Sequence, residues 1–263
     1  MSDNAIKNRQ GNMASQTGPD QVVTVENPEA PGPFVVVCEH ASNAFPARWG
    51  DLGLSAGQKA AHIAWDPGAL GLAQSLAAGL EAPLVAATVS RLVYDLNRPP
   101  QSAGAMAARS ELHDIPGNAG LPTADRVART EAIYLPFHAT LRALIARRLA
   151  AGQATALVTV HSFTPVYNGH HRAVEFGIIH DADPALARAV LAQAAQLPLI
   201  SRLNEPYSAA DAVTHTLALQ AIPQGIRNVM LELRNDLIAT PEAQQAMGHT
   251  LAPLLRAALA EVG

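Results

Sequence analysis

Three apolar runs in this chain end in, or carry, side chains that can do chemistry. Phe34–Cys38 stops abruptly at Glu39-His40, Ala156–Val160 stops at His161-Ser162, and Asn228–Leu233 carries Glu232. A fourth run, Leu84–Val89, leads into Ser90-Arg91 and then Asn97-Arg98. Imidazole nitrogen and carboxylate oxygen are donors that zinc accepts, and a catalytic zinc site keeps one position open for water. A separate carboxylate then acts as general base for that water. On this reading His40 and His161 are metal ligands and Glu232 is the base. Arg91, Asn97 and Arg98 offer planar donors for a carboxylate or a developing oxyanion. Adjacent residues in a regular strand point to opposite faces. Glu39 is therefore the third ligand only if the chain turns after it, and otherwise Asp66 is the first substitute.

Each assignment has a plainer counterpart. His40 and His161 can be hydrogen-bonded structural histidines, although two of them at equivalent strand ends strengthen the site reading. Asp66-Pro67 reads as a helix start, with Asp as cap and Pro in the first turn. Glu232 is a carboxylate in an apolar strand, where burial without a partner is costly, so a structural pair with Arg234 is its alternative. Cys38 with a nearby histidine would make an acyl-transfer pair, but it belongs to the apolar run and reads as a small buried hydrophobe. Arg142, Arg147 and Arg148 share a helix and read as a solvated face. His170-His171 sits in a glycine-containing turn and reads as exposed. No G-x-S-x-G elbow, G-x-G-x-x-G or P-loop is present, which weakens serine-hydrolase, dinucleotide and NTPase readings.

The elements that hold these residues follow from the pattern of apolar runs and turn signals. Short apolar runs bounded by breakers are strands buried on both faces, and ligands of open α/β sheets sit beyond their carboxyl ends. Gln21–Val25 is a marginal edge strand, and Ala173–His180 adds a further internal one. Helices are expected after Ser55, from Asp66-Pro67 to Leu80, from Thr123 to about Ala150 with a kink at Pro136, from Asp183-Pro184 to about Gln196, and from Thr240 to about Val262. Two long irregular stretches, Gln101–Leu121 and Asn204–Gln224 (with a helical piece near Ala212–Leu219), are candidate lids. Strands alternating with helices predict one three-layer α/β/α domain over 21–263 with a central mixed sheet. Residues 1–20 are polar and read as a disordered tail.

Composition narrows the partners. The chain has 263 residues, 49% hydrophobic and 15% charged, with a formal net charge of −4, so a full core is affordable and no basic surface stands out. Only Lys7 and Lys59 are lysines, and no basic block interleaves with aromatics, which argues against nucleic acid. A lone cysteine excludes an internal disulfide framework and fits a reducing compartment. Without an apolar leader or a membrane-length apolar run, the expectation is a soluble cytoplasmic protein with a small-molecule substrate.

Six ordered blocks, CEHASNAFP, HIAWDPGA, SRLVYDLNRP, HSFTP, NEPYS and ELRNDLI, resemble the N-formylglutamate amidohydrolase family from Phe34 to the final helix. The resemblance implies a hydrolase fold similar to the zinc carboxypeptidases and metal-dependent hydrolysis of N-formyl-L-glutamate to formate and L-glutamate. It also implies a divalent cofactor, with zinc first and cobalt or another divalent ion behind it, and a setting in amino-acid catabolism such as histidine degradation. By the same resemblance His40 and His161 match the metal-binding imidazoles and Glu232 the general base. Arg91 would stabilise the oxyanion. Asn97-Arg98 would hold a substrate carboxylate, with Arg234 as a further anion contact. The His-x-x-Glu pair of zinc carboxypeptidases becomes His40-Ala-Ser-Asn43 here, and Asn43 is a poor zinc ligand. The third ligand is thus Glu39, with Asp66 behind it. Two alternatives remain: a same-fold hydrolase of another N-acyl amino acid or short peptide, and a non-catalytic binder of acidic small molecules.

Overall fold

A strand of five apolar residues has no polar side to show to water, so it must lie between two layers. In the computed structural model, which describes residues 21–263, that strand is the second of eleven. The tail expected at 1–20 lies outside the described residues. In chain order the elements begin with β1 (Val23–Glu26), β2 (Phe34–Cys38), α1 (Ala56–Ala60), α2 (Ala69–Leu80) and β3 (Leu84–Ala87). Two two-residue strands, β4 (Arg109–Ser110) and β5 (His113–Asp114), form a small hairpin. Next come α3 (Thr123–Arg129), α4 (Leu135–Ala150), β6 (Ala156–Phe163) and a second small hairpin, β7 (Val166–Tyr167) with β8 (His170–His171). The chain closes with β9 (Phe176–Ile179), α5 (Ala185–Ala194), β10 (Ser201–Leu203), β11 (Asn228–Arg234) and α6 (Pro241–Val262).

Seven strands form one sheet in the order β1-β3-β2-β6-β11-β9-β10. The central four, β3, β2, β6 and β11, are parallel; β1 and β9 run against their inner neighbours. The sheet is therefore mixed, and the chain is a single α/β domain. Side chains alternate between two cores, as the period of a strand demands. Phe34, Val36, Val158, Val160, Val229 and Leu231 face α2, α5 and α6. Val35, Val37, Leu157 and Met230 face Phe137, Leu141, Leu144 and Ile145 of α4. From β2 the chain leaves to β3 on one side, whereas β6 lies on the other. This reversal opens a crevice beyond the carboxyl ends of β2 and β6, where α/β sheets bind ligands.

The local chemistry explains most element ends. Ser55 caps α1 in a reciprocal capping box with Gln58, and Thr240 caps α6 by accepting from the Ala243 N–H. The expected helix from Thr123 to Ala150 is interrupted: Thr130–Tyr134 form a π turn between α3 and α4. Pro136 lacks an N–H and its ring crowds the carbonyl four residues back, which is Ala132 inside that turn. β6 runs to Phe163, so His161 lies inside the strand. β10 was not expected, and the helical piece near Ala212–Leu219 begins at His215 and runs on as a π turn at Leu217–Ala221. His170 and His171 are exposed, and Cys38 is fully buried, where desolvation pushes its thiol up.

Arg148 corrects the reading of a solvated arginine face. It is 1% exposed and donates to the carbonyls of Ala30 (2.8 Å), Gly32 and Ala154 (3.3 Å). The guanidinium thereby ties α4 to the loop that leads into β2. Arg148→Met keeps the apolar stem but leaves these carbonyls without a donor. A stability loss of about 1–3 kcal/mol is expected, read as a lower urea midpoint; a midpoint equal to that of the wild type would contradict this role.

Candidate active site

Glu39, His161 and Glu232 form a row on one face of the sheet. Glu232 is the register partner of His161 across β11 and β6, and Val37 pairs with Thr159 two residues earlier, which carries Glu39 alongside His161. The chain turns after Glu39, so His40 swings off the opposite face and joins the same group. Asp66 enters from the loop ahead of α2. Its backbone N–H donates to the His40 carbonyl at 3.0 Å, and the Ser162 hydroxyl donates to the Pro67 carbonyl at 2.8 Å. The helix cap expected of Asp66 falls to Gly68, and the Asp66 side chain turns inward.

Three donor atoms converge. His40 Nδ1 and His161 Nδ1 lie 3.2 and 2.9 Å from Asp66 Oδ2, and 3.2 Å from each other. Donors held about 2.0–2.1 Å from a tetrahedral zinc are roughly 3.3 Å apart, so this triangle is close to the size of a zinc face. His40 Nε2 lies 2.8 Å from Asp95 Oδ1. A carboxylate can only accept, so Nε2 carries the proton and Nδ1 turns a lone pair inward. His161 Nε2 sits 3.2 Å from Glu39 Oε2, an ion-pair contact outside hydrogen-bond geometry. Each imidazole is thus backed by a carboxylate.

The surroundings attract positive charge to this point. Burial disfavours an imidazolium at His161, yet Glu39 and Asp66 hold its pKa well above the ordinary value. Burial would also raise the Asp66 carboxyl, but His40, His161 and Arg91 hold it well below the usual carboxylate range. Glu232 differs. Burial pushes it up to about 7, Asp66 adds to the rise, and the nearby imidazoles only partly oppose it. One of its oxygens is buried with no partner, and the side chain lines a cavity of about 280 Å³ together with His40, Asp66 and His161.

Several expected residues are placed differently. The preference for Glu39 as third ligand is reversed by geometry, because Asp66 supplies the converging oxygen while Glu39 lies against the far nitrogen of His161. Arg91 donates to Asp66 at 3.1 Å and to Asp95 at 2.8 Å, so both terminal nitrogens brace carboxylates. The Asn97 amide is taken up by the Val213 carbonyl and the Thr216 N–H, which fastens the 213–216 segment. Arg98 lines the cavity and, among the described residues, its side chain donates only to the Asp211 carbonyl. Arg234 is committed to Asp236 (2.8 Å) and Glu175 (3.2 Å), away from the cavity, so it is neither the partner of Glu232 nor a free anion contact. Asp95 was missed, although its place four residues after Arg91 marks an ion pair on a turn of chain.

A buried imidazole–carboxylate cluster with a neighbouring unpaired carboxylate, set at a sheet's switch point, is a kind of site that hydrolases use. The chain belongs to the N-formylglutamate amidohydrolase family, whose profile matches residues 32–239, and is a hydrolase acting on amide bonds. It is similar to the gene product Atu2144 from Agrobacterium tumefaciens, at 51% identity and a TM-score of 0.90, over 92% of this chain and 96% of that one. It also resembles in fold an N-formylglutamate amidohydrolase from Ralstonia eutropha JMP134, at 18% identity and a TM-score of 0.61, over 89% of this chain and 98% of that one. A search of curated proteins found no match.

His138 supports the site from α4. Its Nε2 donates to the Leu96 carbonyl at 2.9 Å and its Nδ1 accepts from Gln220 at 3.2 Å, so the neutral ring is fully used beside Asn97-Arg98. Burial lowers its pKa to about 4. Between the ordinary value of about 6.5 and about 4 the unfolded chain binds the proton and the folded chain does not. Stability therefore falls as pH drops through that window, by up to roughly 3 kcal/mol. His138→Phe is expected to flatten the slope of stability against pH between about 6.5 and 4 relative to wild type; parallel slopes would contradict it.

Proposed function

We propose that this protein hydrolyses N-formyl-L-glutamate to formate and L-glutamate, with a divalent metal, zinc first, held by His40, Asp66 and His161. The observation that carries the reading is the triangle of donor atoms 2.9–3.2 Å apart, with the unpaired Glu232 carboxylate beside it. With both Nδ1 atoms unprotonated, two imidazole nitrogens and a carboxylate oxygen at these distances form a donor set that suits a divalent cation. A cation there supplies Lewis acidity, which lowers the pKa of water and polarises an amide carbonyl. Asp95 and Glu39 orient the two imidazoles, and Arg91 fixes Asp66 and Asp95 against each other.

Glu232 takes a proton from the attacking water, whose oxygen adds to the formyl carbon. As the C–N bond breaks, Glu232 returns that proton to the leaving nitrogen. Its oxygen without a partner and its raised pKa suit both directions of transfer. Arg98 at the cavity wall pairs with a substrate carboxylate and so aligns the amide. The exposed hairpin of β4 and β5 and the loop around Tyr207 frame the entrance, and no helix among the described residues is long and apolar enough to cross a membrane. A cytoplasmic enzyme of amino-acid catabolism fits these features.

Formate release from N-formyl-L-glutamate is expected to disappear with a chelator and to return with zinc or cobalt. Glu232→Gln is expected to keep its metal and lose about 10²–10⁴-fold in kcat. Release that survives with no metal bound, or a wild-type rate in Glu232→Gln, would overturn the mechanism. Comparable rates on N-acetyl- or N-succinyl-glutamate would overturn the formyl assignment alone.

A further inference from the structure

The arginines around the cavity divide into two groups. Arg91 is neutralised by Asp66 and Asp95, and Arg109 by Asp114. Arg98 and Arg172 pair with no carboxylate among the described residues. Arg172 leaves β8 and reaches back towards the site. Its guanidinium lies over Tyr167 (4.4 Å), Tyr207 (4.9 Å) and Phe163 (5.5 Å), and its Nη2 donates to the Tyr207 hydroxyl at 2.9 Å. Its Nη1 is buried with no hydrogen-bond partner among the described residues. Aromatic faces compensate a guanidinium only in part, so this positive charge stands in want of an anion.

Tyr167 and Tyr207 both line the cavity, which places Arg172 directly behind its wall. The Tyr207 oxygen accepts from Arg172, so its own O–H remains to be donated. Burial, with Glu232 nearby, pushes this phenol up to about 12, and it stays a protonated donor at neutral pH. The backbone is shaped to bring it there. A Cβ on Gly177 of β9 would stand 2.3 Å from the Glu205 carbonyl and 3.1 Å from the Glu232 Cβ. Only a residue without a side chain lets the Glu205–Tyr207 segment cross β9 beside the base.

We propose that Tyr207 is a substrate contact that donates to one carboxylate of a dicarboxylic amino-acid substrate, with Arg172 as its positioning residue, while Arg98 takes the other carboxylate. The inference rests on the reading of the substrate as an acylated acidic amino acid and assigns its two anionic ends to two separate subsites. Neither Arg172 nor Tyr207 touches the metal-ligand triangle. Their effect is on which substrate binds and not on how water is activated.

The test is binding of L-glutamate, L-glutamine and L-isoglutamine to the metal-loaded full chain by calorimetry. The wild type is expected to prefer the diacid over each monoamide by at least roughly tenfold, as a charge-assisted hydrogen bond requires. Tyr207→Phe and Arg172→Met are each expected to erase the preference over the same one monoamide and leave the other intact. Arg98→Met is expected to erase that other preference. Tyr207→Phe keeps the ring under Arg172, so it decides the question even if Arg172→Met does not fold. Equal binding of all three ligands by the wild type, both preferences retained in Tyr207→Phe, or both lost together would overturn the proposal. Binding is read without turnover, so absent formate release counts against the reaction alone. Unchanged selectivity in an enzyme that does release formate counts against the subsite alone.

Discussion

Two imidazole nitrogens and a carboxylate oxygen meet within 3.2 Å of one another in a buried place, and most of the fold follows from holding them there. Such an arrangement is held together by a proton on an imidazole Nδ1, which then donates to Asp66, or by a cation among the three atoms. Every neighbour serves that condition. Asp95 and Glu39 stand behind the imidazoles and favour charge on them, and Arg91 keeps Asp66 and Asp95 from separating. A fourth carboxylate, Glu232, is held beside the group without a partner of its own. The site thus separates three acids that pair with cationic or imidazole groups from one that has no such partner.

The sheet provides the rigidity. Glu39, His161 and Glu232 owe their spacing to strand register, which cannot slip without sending whole strands to the wrong face. His40 and Asp66 come from turns, yet a backbone hydrogen bond joins those turns to each other, and the Ser162 N–H and hydroxyl, donating to the Asp66 carboxylate and the Pro67 carbonyl, join them to β6. The cavity walls are built otherwise. The hairpin of β4 and β5 is joined to the rest by Glu111, which takes the His62 Nε2 at 2.8 Å and the Asn168 N–H at 3.0 Å. The floor of the cavity therefore rests on strand register, and the hairpin on its wall rests on these polar ties and on the buried Met106 and Ile115 that flank it.

Much of the framework was legible in local pattern. The strand over Phe34–Cys38, the caps at Ser55 and Thr240, and the final helix needed only near neighbours in sequence. The placement of Asp66 was hidden because Asp-Pro reads equally as a helix start, and only the tertiary fold shows its side chain turned inward. Glu39 and His40 were correctly seen to need a turn, but which of them stays on the sheet face depends on the register with β6. Arg148 was misread although its position was visible: Leu141, Leu144, Ile145 and Arg148 fall at i, i+3, i+4 and i+7, the buried stripe of a helix. The surroundings of Arg172 come from three separate segments, so no local signal points to them.

The most direct test of the central claim is an anomalous-diffraction map of crystals grown with zinc and collected at the zinc edge. The account predicts one strong peak about 2.0–2.2 Å from His40 Nδ1, His161 Nδ1 and an Asp66 oxygen, with Glu232 outside bonding distance. A peak centred on Glu39, or no peak among these residues at full zinc occupancy elsewhere, would contradict it.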